Sequence, residues 1–279
     1  MGEPVGDAAA GRKLIWALRE KADKAGKRCA FYAVSPRYLA TYLDLGLSIL
    51  KIGEVARVNL TGFTLDGPAR KDFRYAKGRV AKEGYDFAVI PAAEVPALLP
   101  ALRHVSDAWM ALKQGEEKGF ALGSFDESYL ANFDHAVLRH RETGQIVAFA
   151  NLWKSGGRHE LSVDLMRYDP AGPKVAMDAL FGEIMLWGAA QGYQWFCLGA
   201  APFAGIESHQ LASLWNRIGG FVYAHGEQFY HFDGLRTFKQ KFDPSWTPNY
   251  LASPGGLAAP RILYEVNVLI SGGVKGLIG

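Results

Sequence analysis

The chain of 279 residues predicts a mixed α/β fold, on three observations. Short apolar runs bounded by Gly, Pro or Ser alternate with amphipathic stretches of helical period. Three strand candidates, 133–139, 146–153 and 160–168, follow one another with Thr143-Gly144 and Ser155-Gly156-Gly157 as turns between them. A long apolar helix opened by Pro173 and ended by Gly192 then leads into a further strand at 193–198.

Along the chain, residues 11–26 read as a helix with Leu14, Ile15, Leu18 and Ala22 on one face and Gly26 as its stop. Residues 29–34 form a buried strand, and Ser35-Pro36 opens a second helix that ends near Gly46. Residues 47–52 and 56–60 read as a strand pair around Gly53. A basic helix runs from Gly67-Pro68 to Gly84, a strand from 85 to 90, and mainly helix from 91 to 112. After residue 198 come a helix at 207–218, short aromatic strands at 221–223 and 229–232, and a helix at 235–242. The linear domain expectation is 1–66 as the C-terminal part of a first unit, 67–84 as a connecting helix, and 85–279 as a second unit. The first has too few strands for a complete sheet, so the chain reads as starting partway through a domain.

The 49% hydrophobic and 21% charged content is that of a globular chain. A net charge of +3 is too small to imply nucleic-acid binding by itself, so any basic surface must be local. Residues 70–82 supply one, with six Lys/Arg against Asp72. Arg70, Arg74 and Lys77 fall on one stripe with Arg79 nearby, which is equally a solvated face or a surface that tracks phosphates. Cys29 and Cys197 read as reduced core thiols, and seven scattered histidines show no metal-ligand spacing. No apolar run reaches the ~20 residues that span a bilayer, and the N-terminus has no signal-peptide pattern. The expectation is a soluble piece without a metal.

Antiparallel strands, a helix, a strand and a helix is the order of GNAT-type acyltransferase domains. These bind acyl-CoA pyrophosphate on backbone amides of a loop before the helix. Here that loop is Arg167-Tyr168-Asp169-Pro170-Ala171-Gly172-Pro173. Two prolines remove donors from it, which argues against coenzyme A and for no cofactor. Strand 160–168 alternates Leu161, Val163 and Leu165 with Ser162, Asp164 and Met166. A carboxylate at mid-strand needs a partner or a task. Arg167 lies three residues on, so in a regular strand it points to the opposite face. Asp164 and Arg167 share a site only if a bulge or strand end separates them; otherwise the carboxylate belongs to a structural ion pair. Asn151 and Trp153 sit on the preceding strand, and Glu207 or Ser208 equally reads as a helix cap. Lys239 and Lys241, beside aromatics, read alone as solvated surface.

Several stretches resemble the MprF-like phosphatidylglycerol lysyltransferases and alanyl-phosphatidylglycerol synthases. They are Asn151-Leu-Trp153, Ser162-Val-Asp-Leu-Met-Arg-Tyr168, Trp195-Phe-Cys-Leu-Gly199, Gly205-Ile-Glu-Ser-His209 and Leu214-Trp-Asn-Arg217. Tyr223-x-His-Gly-Glu-x-Phe-Tyr230 and Phe238-Lys-x-Lys-Phe-x-Pro244 match too, as do Phe31-Tyr-x-Val-Ser-Pro36 and Tyr42-Leu-Asp-Leu-Gly-Leu47 upstream. The resemblance implies tandem GNAT-like domains related to the Fem aminoacyltransferases, the first truncated at its N-terminus. It implies aminoacyl-tRNA as donor, phosphatidylglycerol as acceptor, and an N-terminal membrane flippase in the full-length protein. The work would take place at the cytoplasmic face of the bacterial inner membrane, lowering its negative charge and giving resistance to cationic peptides. Asp164, Arg167 and Lys239 are then catalytic. Asp164 faces the α-ammonium or the attacking hydroxyl, and Arg167 and Lys239 hold the lipid phosphate. Asn151, Ser162, Glu207, His209, Tyr230 and Lys241 bind substrate. Lys241 and the helix bearing Arg70, Arg74, Lys77 and Arg79 meet the tRNA acceptor end. The rivals are a Fem-like enzyme acting on peptidoglycan precursors and an inactive tandem that only binds tRNA or anionic membrane.

Overall fold

The computed structural model describes residues 2–113, 123–206, 232–256 and 258–270. Its described residues divide into two compact units interleaved along the chain. The first draws on Met1–Ala56, Gly199–Gln240 and Pro244–Asn267, the second on Arg57–Leu198, Lys241–Asp243 and Val268–Gly279. The expected boundaries at 66 and 84 are linear, whereas two strands here carry the chain from one unit into the other.

In the first unit, helix α1 (Ala8–Lys24) is capped by the Asp7 carboxylate, which accepts from the Ala10 amide at 2.8 Å. It buries Gly11 and Ile15, while Leu14 and Leu18, expected on the core face, are 59% and 51% exposed. Strand β1 (Phe31–Val34), a 3-10 turn at Pro36–Tyr38 and short helix α2 (Leu39–Asp44) follow. Strand β2 (Ser48–Asn59) is continuous where two strands were expected. Gly53 does not break it. At φ +149° its bare Cα lies against the next strand, and a Cβ there would be 2.4 Å from the Ala201 carbonyl oxygen. Helix α7 (Phe232–Gln240), strand β8 (Ser245–Ser253) and helix α8 (Ala258–Ile270) complete the unit. The strand order is β1-β8-β2-β7, where β7 is Trp195–Pro202, with β1 antiparallel to β8. The core joins Ile15, Phe31, Tyr38, Tyr42 and Ala252.

In the second unit, a 3-10 turn at Pro68–Arg70 leads into helix α3 (Lys71–Lys82), then strand β3 (Tyr85–Ile90). A 3-10 stretch at Ala92–Leu98 precedes helix α4 (Leu99–Lys113). Short helix α5 (Glu127–Leu130) precedes strands β4 (His135–His140), β5 (Ile146–Lys154) and β6 (Glu160–Tyr168). These run antiparallel in the order β3-β4-β5-β6. Helix α6 (Ala176–Ala190) then crosses to β7 (Trp195–Pro202), whose first residues pair in parallel with β6. An antiparallel meander, a helix and a parallel strand are the elements that the sequence order predicts, and the mixed α/β class holds. Val95, Leu102 and Val105 pack with Val137, Phe149 and Leu165 as the core on one sheet face.

The elements after β7 depart furthest from the sequence reading. Strand β8 was not expected, and it contains Pro248. The proline lies outside the register with β1, which uses Tyr250, Leu251 and Ala252. Helix α8 was not expected either. The elements expected at 207–218 and 221–223 lie outside the described residues, as do 229–231 of the strand expected at 229–232, while Phe232 begins helix α7.

Candidate active site

Strand β6 carries a bulge where the sequence requires one. Against β5, Leu152 pairs with Val163 and Ala150 with Met166, so two steps on β5 face three on β6. One extra residue therefore sits in β6 between Val163 and Met166, and the alternation of side chains inverts there. The packing shows the same inversion. Leu161 approaches Gly188 of α6, where an added Cβ would sit 2.8 Å from a Leu161 methyl. Leu165, four residues on, packs instead with Leu102 and Val105 of α4. Leu165 thus leaves the face expected for it, and Asp164 and Arg167 come to share the face that α4 and α5 cover.

The Asp164 carboxylate is held from two directions. The Tyr129 hydroxyl of α5 donates to Oδ2 at 2.7 Å. On another side lies Gly123, where a Cβ would be 2.4 Å from the same oxygen, so no side chain fits at that position. Trp153 Nε1 donates to the Tyr129 oxygen at 3.0 Å. The tyrosine oxygen accepts from Trp153, so its own proton is committed to Asp164. Burial and then the Asp164 carboxylate push the Tyr129 pKa up to about 12, so the phenol keeps that proton at neutral pH. Arg167 lies with its guanidinium 4.0 Å from the ring centre of Trp109 on α4, and its Nη1 donates to the Met166 carbonyl at 3.0 Å.

Asn151 is fully buried, and its Oδ1 accepts the Leu165 amide at 2.7 Å. Ser162 donates to the Cys197 carbonyl at 3.0 Å on β7. Lys239 is 5% exposed, and its Nζ donates to the Ala200 carbonyl at 2.5 Å. It is an interior anchor for the end of β7, not the solvated lysine that its isolated sequence context suggests. Lys241 pairs with Asp178 of α6 at 3.3 Å. Glu207, His209 and Tyr230 lie outside the described residues. No disulfide joins Cys29 and Cys197, and burial pushes the Cys29 thiol up.

The basic stripe on α3 has structural partners. Arg70 donates to the Phe242 carbonyl at 2.6 Å and lies over the Phe63 ring, and burial lowers its pKa. Arg74 holds the carbonyls of Leu65 and Gly67. Lys77 pairs with Glu183 at 2.8 Å, and Arg79 with Glu83 at 2.5 Å. Two of the four cations therefore tie down main chain, and the other two are half-exposed ion pairs worth little individually.

In the loop before α6, the amides are turned inward. The Asp169 carboxylate accepts the Ala171 N–H at 2.9 Å, and the Asp169 carbonyl accepts the Gly172 N–H at 2.9 Å. Pro170 and Pro173 have no N–H to offer. This is a poor cradle for a pyrophosphate.

Sequence reasoning missed Tyr129, Gly123 and Trp109. None lies in a motif or within 30 residues of Asp164 along the chain, and Trp109 reads as one more apolar helix position. The faint signal was Asp126, which caps α5 by accepting the Tyr129 amide at 2.8 Å and so fixes where the tyrosine projects.

The antiparallel strands β4, β5 and β6, helix α6 and the parallel strand β7 thus place a carboxylate and a guanidinium on one sheet face, next to a loop that offers few free amides. The chain belongs to the family described as phosphatidylglycerol lysyltransferase, C-terminal, whose model matches residues 1–253. It is 36% identical over 253 residues to the phosphatidylglycerol lysyltransferase of Bacillus subtilis, covering 90% of this chain and 29% of that protein. Among solved structures it is similar to the C-terminal domain of a candidate lysylphosphatidylglycerol synthetase from Agrobacterium fabrum. There the identity is 41% and the TM-score 0.84, over 99% of this chain and 83% of that one. The L-PGS structure from Bacillus licheniformis is 37% identical with a TM-score of 0.80, over 96% and 81% of the two chains. The chain spans about three tenths of the length of the curated relatives it matches.

Proposed function

We propose that this chain carries the transfer step of an enzyme that moves a lysyl or alanyl group from aminoacyl-tRNA to a glycerol hydroxyl of phosphatidylglycerol. The observation that carries the reading is the bulge in β6, which sets Asp164 and Arg167 on one face beside Tyr129 and Trp109. Family membership supports the lipid acceptor. The inward-turned loop amides support a donor other than coenzyme A.

An aminoacyl ester is already activated, so the protein must position the hydroxyl, assist its deprotonation and stabilise the oxyanion. The lipid oxygen attacks the ester carbonyl carbon, the bond to the tRNA ribose oxygen breaks, and the proton of the attacking hydroxyl ends on that ribose oxygen. Asp164 faces either the α-ammonium or the attacking hydroxyl, with Tyr129 fixing one of its oxygens. Arg167 takes the lipid phosphate, where a planar fork suits two oxygens. Lys239 is already bound to a carbonyl of β7, and its part is to shape that strand end. The tRNA contact falls to Lys77, Arg79 and Lys241, whose exposed pairs open at little cost, while Arg70 and Arg74 keep their structural bonds. No helix among the described residues is long and apolar enough to cross a membrane. An N-terminal flippase in the full-length protein would hold this part at the cytoplasmic membrane face. There transfer lowers the negative charge of the lipid surface and confers resistance to cationic peptides.

The test offers charged Lys-tRNA and, separately, Ala-tRNA together with phosphatidylglycerol vesicles or lipid-linked muropeptide. Label is expected on phosphatidylglycerol. Label on the muropeptide alone means a Fem-like acceptor, and saturable tRNA binding with no labelled product means an inactive binding tandem.

A further inference from the structure

We infer that Asn151 is a positioning residue: its side chain holds the β6 bulge open and thereby keeps Asp164 and Arg167 on one face. This rests on the proposed role of those two residues and moves Asn151 from substrate ligand to backbone support.

An extra residue in an antiparallel pair breaks the hydrogen-bond ladder locally and leaves an amide without its main-chain acceptor. Leu165 lies in the bulge and is 1% exposed, so water is not at hand for its N–H. The acceptor comes from the facing strand but from a side chain, Asn151 Oδ1 at 2.7 Å. Asn151 is the residue between Ala150 and Leu152, the two positions across which the register shifts. It is also the single polar side chain in the run Ile146–Leu152, which is buried throughout. An amide there is costly unless it does something that Leu or Val would not.

The alternative arrangement is well defined. Without the Oδ1 acceptor, β6 satisfies Leu165 by slipping one residue into regular pairing. Slippage by one exchanges the faces of every later side chain. Leu165 then leaves the α4 core, and Arg167 leaves both Trp109 and the face that holds Asp164. At its other end Asn151 adjoins Tyr129, where it slightly opposes the rise of the phenol pKa, although Nδ2 makes no hydrogen bond of ordinary geometry among the described residues. The same side chain therefore serves the backbone after Asp164 and adjoins the hydroxyl that holds its carboxylate.

The experiment compares Asn151→Leu, which removes the acceptor, with Asn151→Asp, which keeps an oxygen in place. Amide hydrogen exchange over residues 160–168 is read together with steady-state transfer. Asn151→Leu is expected to alter exchange at Leu165 and lower kcat about 100-fold, the scale of a displaced catalytic group, with KM for both substrates near wild type. Asn151→Asp is expected to keep the exchange pattern at Leu165, since an oxygen still accepts its amide. Wild-type kcat in the Leu variant overturns the inference, as does a rise in KM alone with unchanged exchange, which marks a substrate ligand. Should the Leu variant not fold, an Asp variant that has lost protection at Leu165 despite keeping an oxygen there contradicts it equally. If the wild type transfers nothing, the functional reading fails, and the exchange data alone still decide whether Asn151 holds the bulge.

Discussion

Tyr129 shows how a single hydroxyl can govern a carboxylate. Trp153 occupies the phenol oxygen as a donor, which leaves the phenol proton one direction to go, onto Asp164. Tyr129→Phe keeps the ring packed against Phe133 and removes that bond. A hydrogen bond to a charged acceptor is worth about 1.5–3 kcal/mol. If half or more of this is expressed in the transition state, kcat falls about threefold or further, while the melting temperature moves little; unchanged steady-state kinetics would remove Tyr129 from the account. His135, opposite Asn151 on β4, has its pKa lowered chiefly by burial. Its folded form binds fewer protons than the unfolded chain. The stability it supports is therefore present above the ordinary imidazole value of about 6.5 and is lost as pH falls from there towards the folded value. Denaturant melts at pH 7.5 and 5.5 should show a larger acid loss for wild type than for His135→Leu, and equal losses would contradict this. These residues were hard to see in the sequence. Parity exposed the conflict between Asp164 and Arg167, but its resolution depends on Asn151 and Tyr129, which come from other elements.

Among the elements, β2 and β6 both depart from regular strand geometry, and by different means. In β2, Gly53 at φ +149° brings the backbone against Ala201, and the strand continues through a position that the sequence marks as a turn. Gly53→Ala places a Cβ against main chain that cannot yield, and a cost of about 1–3 kcal/mol is expected in denaturant unfolding. A neutral result would mean that β2 and β7 separate freely there. In β6 the departure is an added residue, stabilised from β5. Helix α3 was legible as an element because its charges and apolar positions keep helical period. The partners of those charges were not legible: the carbonyls of Leu65, Gly67 and Phe242 and the carboxylate of Glu183 lie on other elements. Strand β8 was not legible, since it carries Pro248, which cannot donate to a ladder, and its pairing with β1 begins only at Tyr250.

For the molecule as a whole, the class and the central order of elements follow from patterns within the chain, because alternation and helical period are local. The interleaving of the two units is not local. It arises from β2 and β7, each of which starts in one unit and ends in the other, and no stretch of sequence announces which unit its neighbours will join. The proposed lipid acceptor draws on family membership, and the proposed transfer site draws on the shared face of Asp164 and Arg167. That site is best tested by transfer of radiolabelled lysine or alanine from charged tRNA to phosphatidylglycerol vesicles, comparing wild type with Asp164→Asn and Arg167→Ala. Wild type should label the lipid, and each variant should remain folded by circular dichroism while labelling none. Lipid labelling by either variant at the wild-type rate would contradict the account.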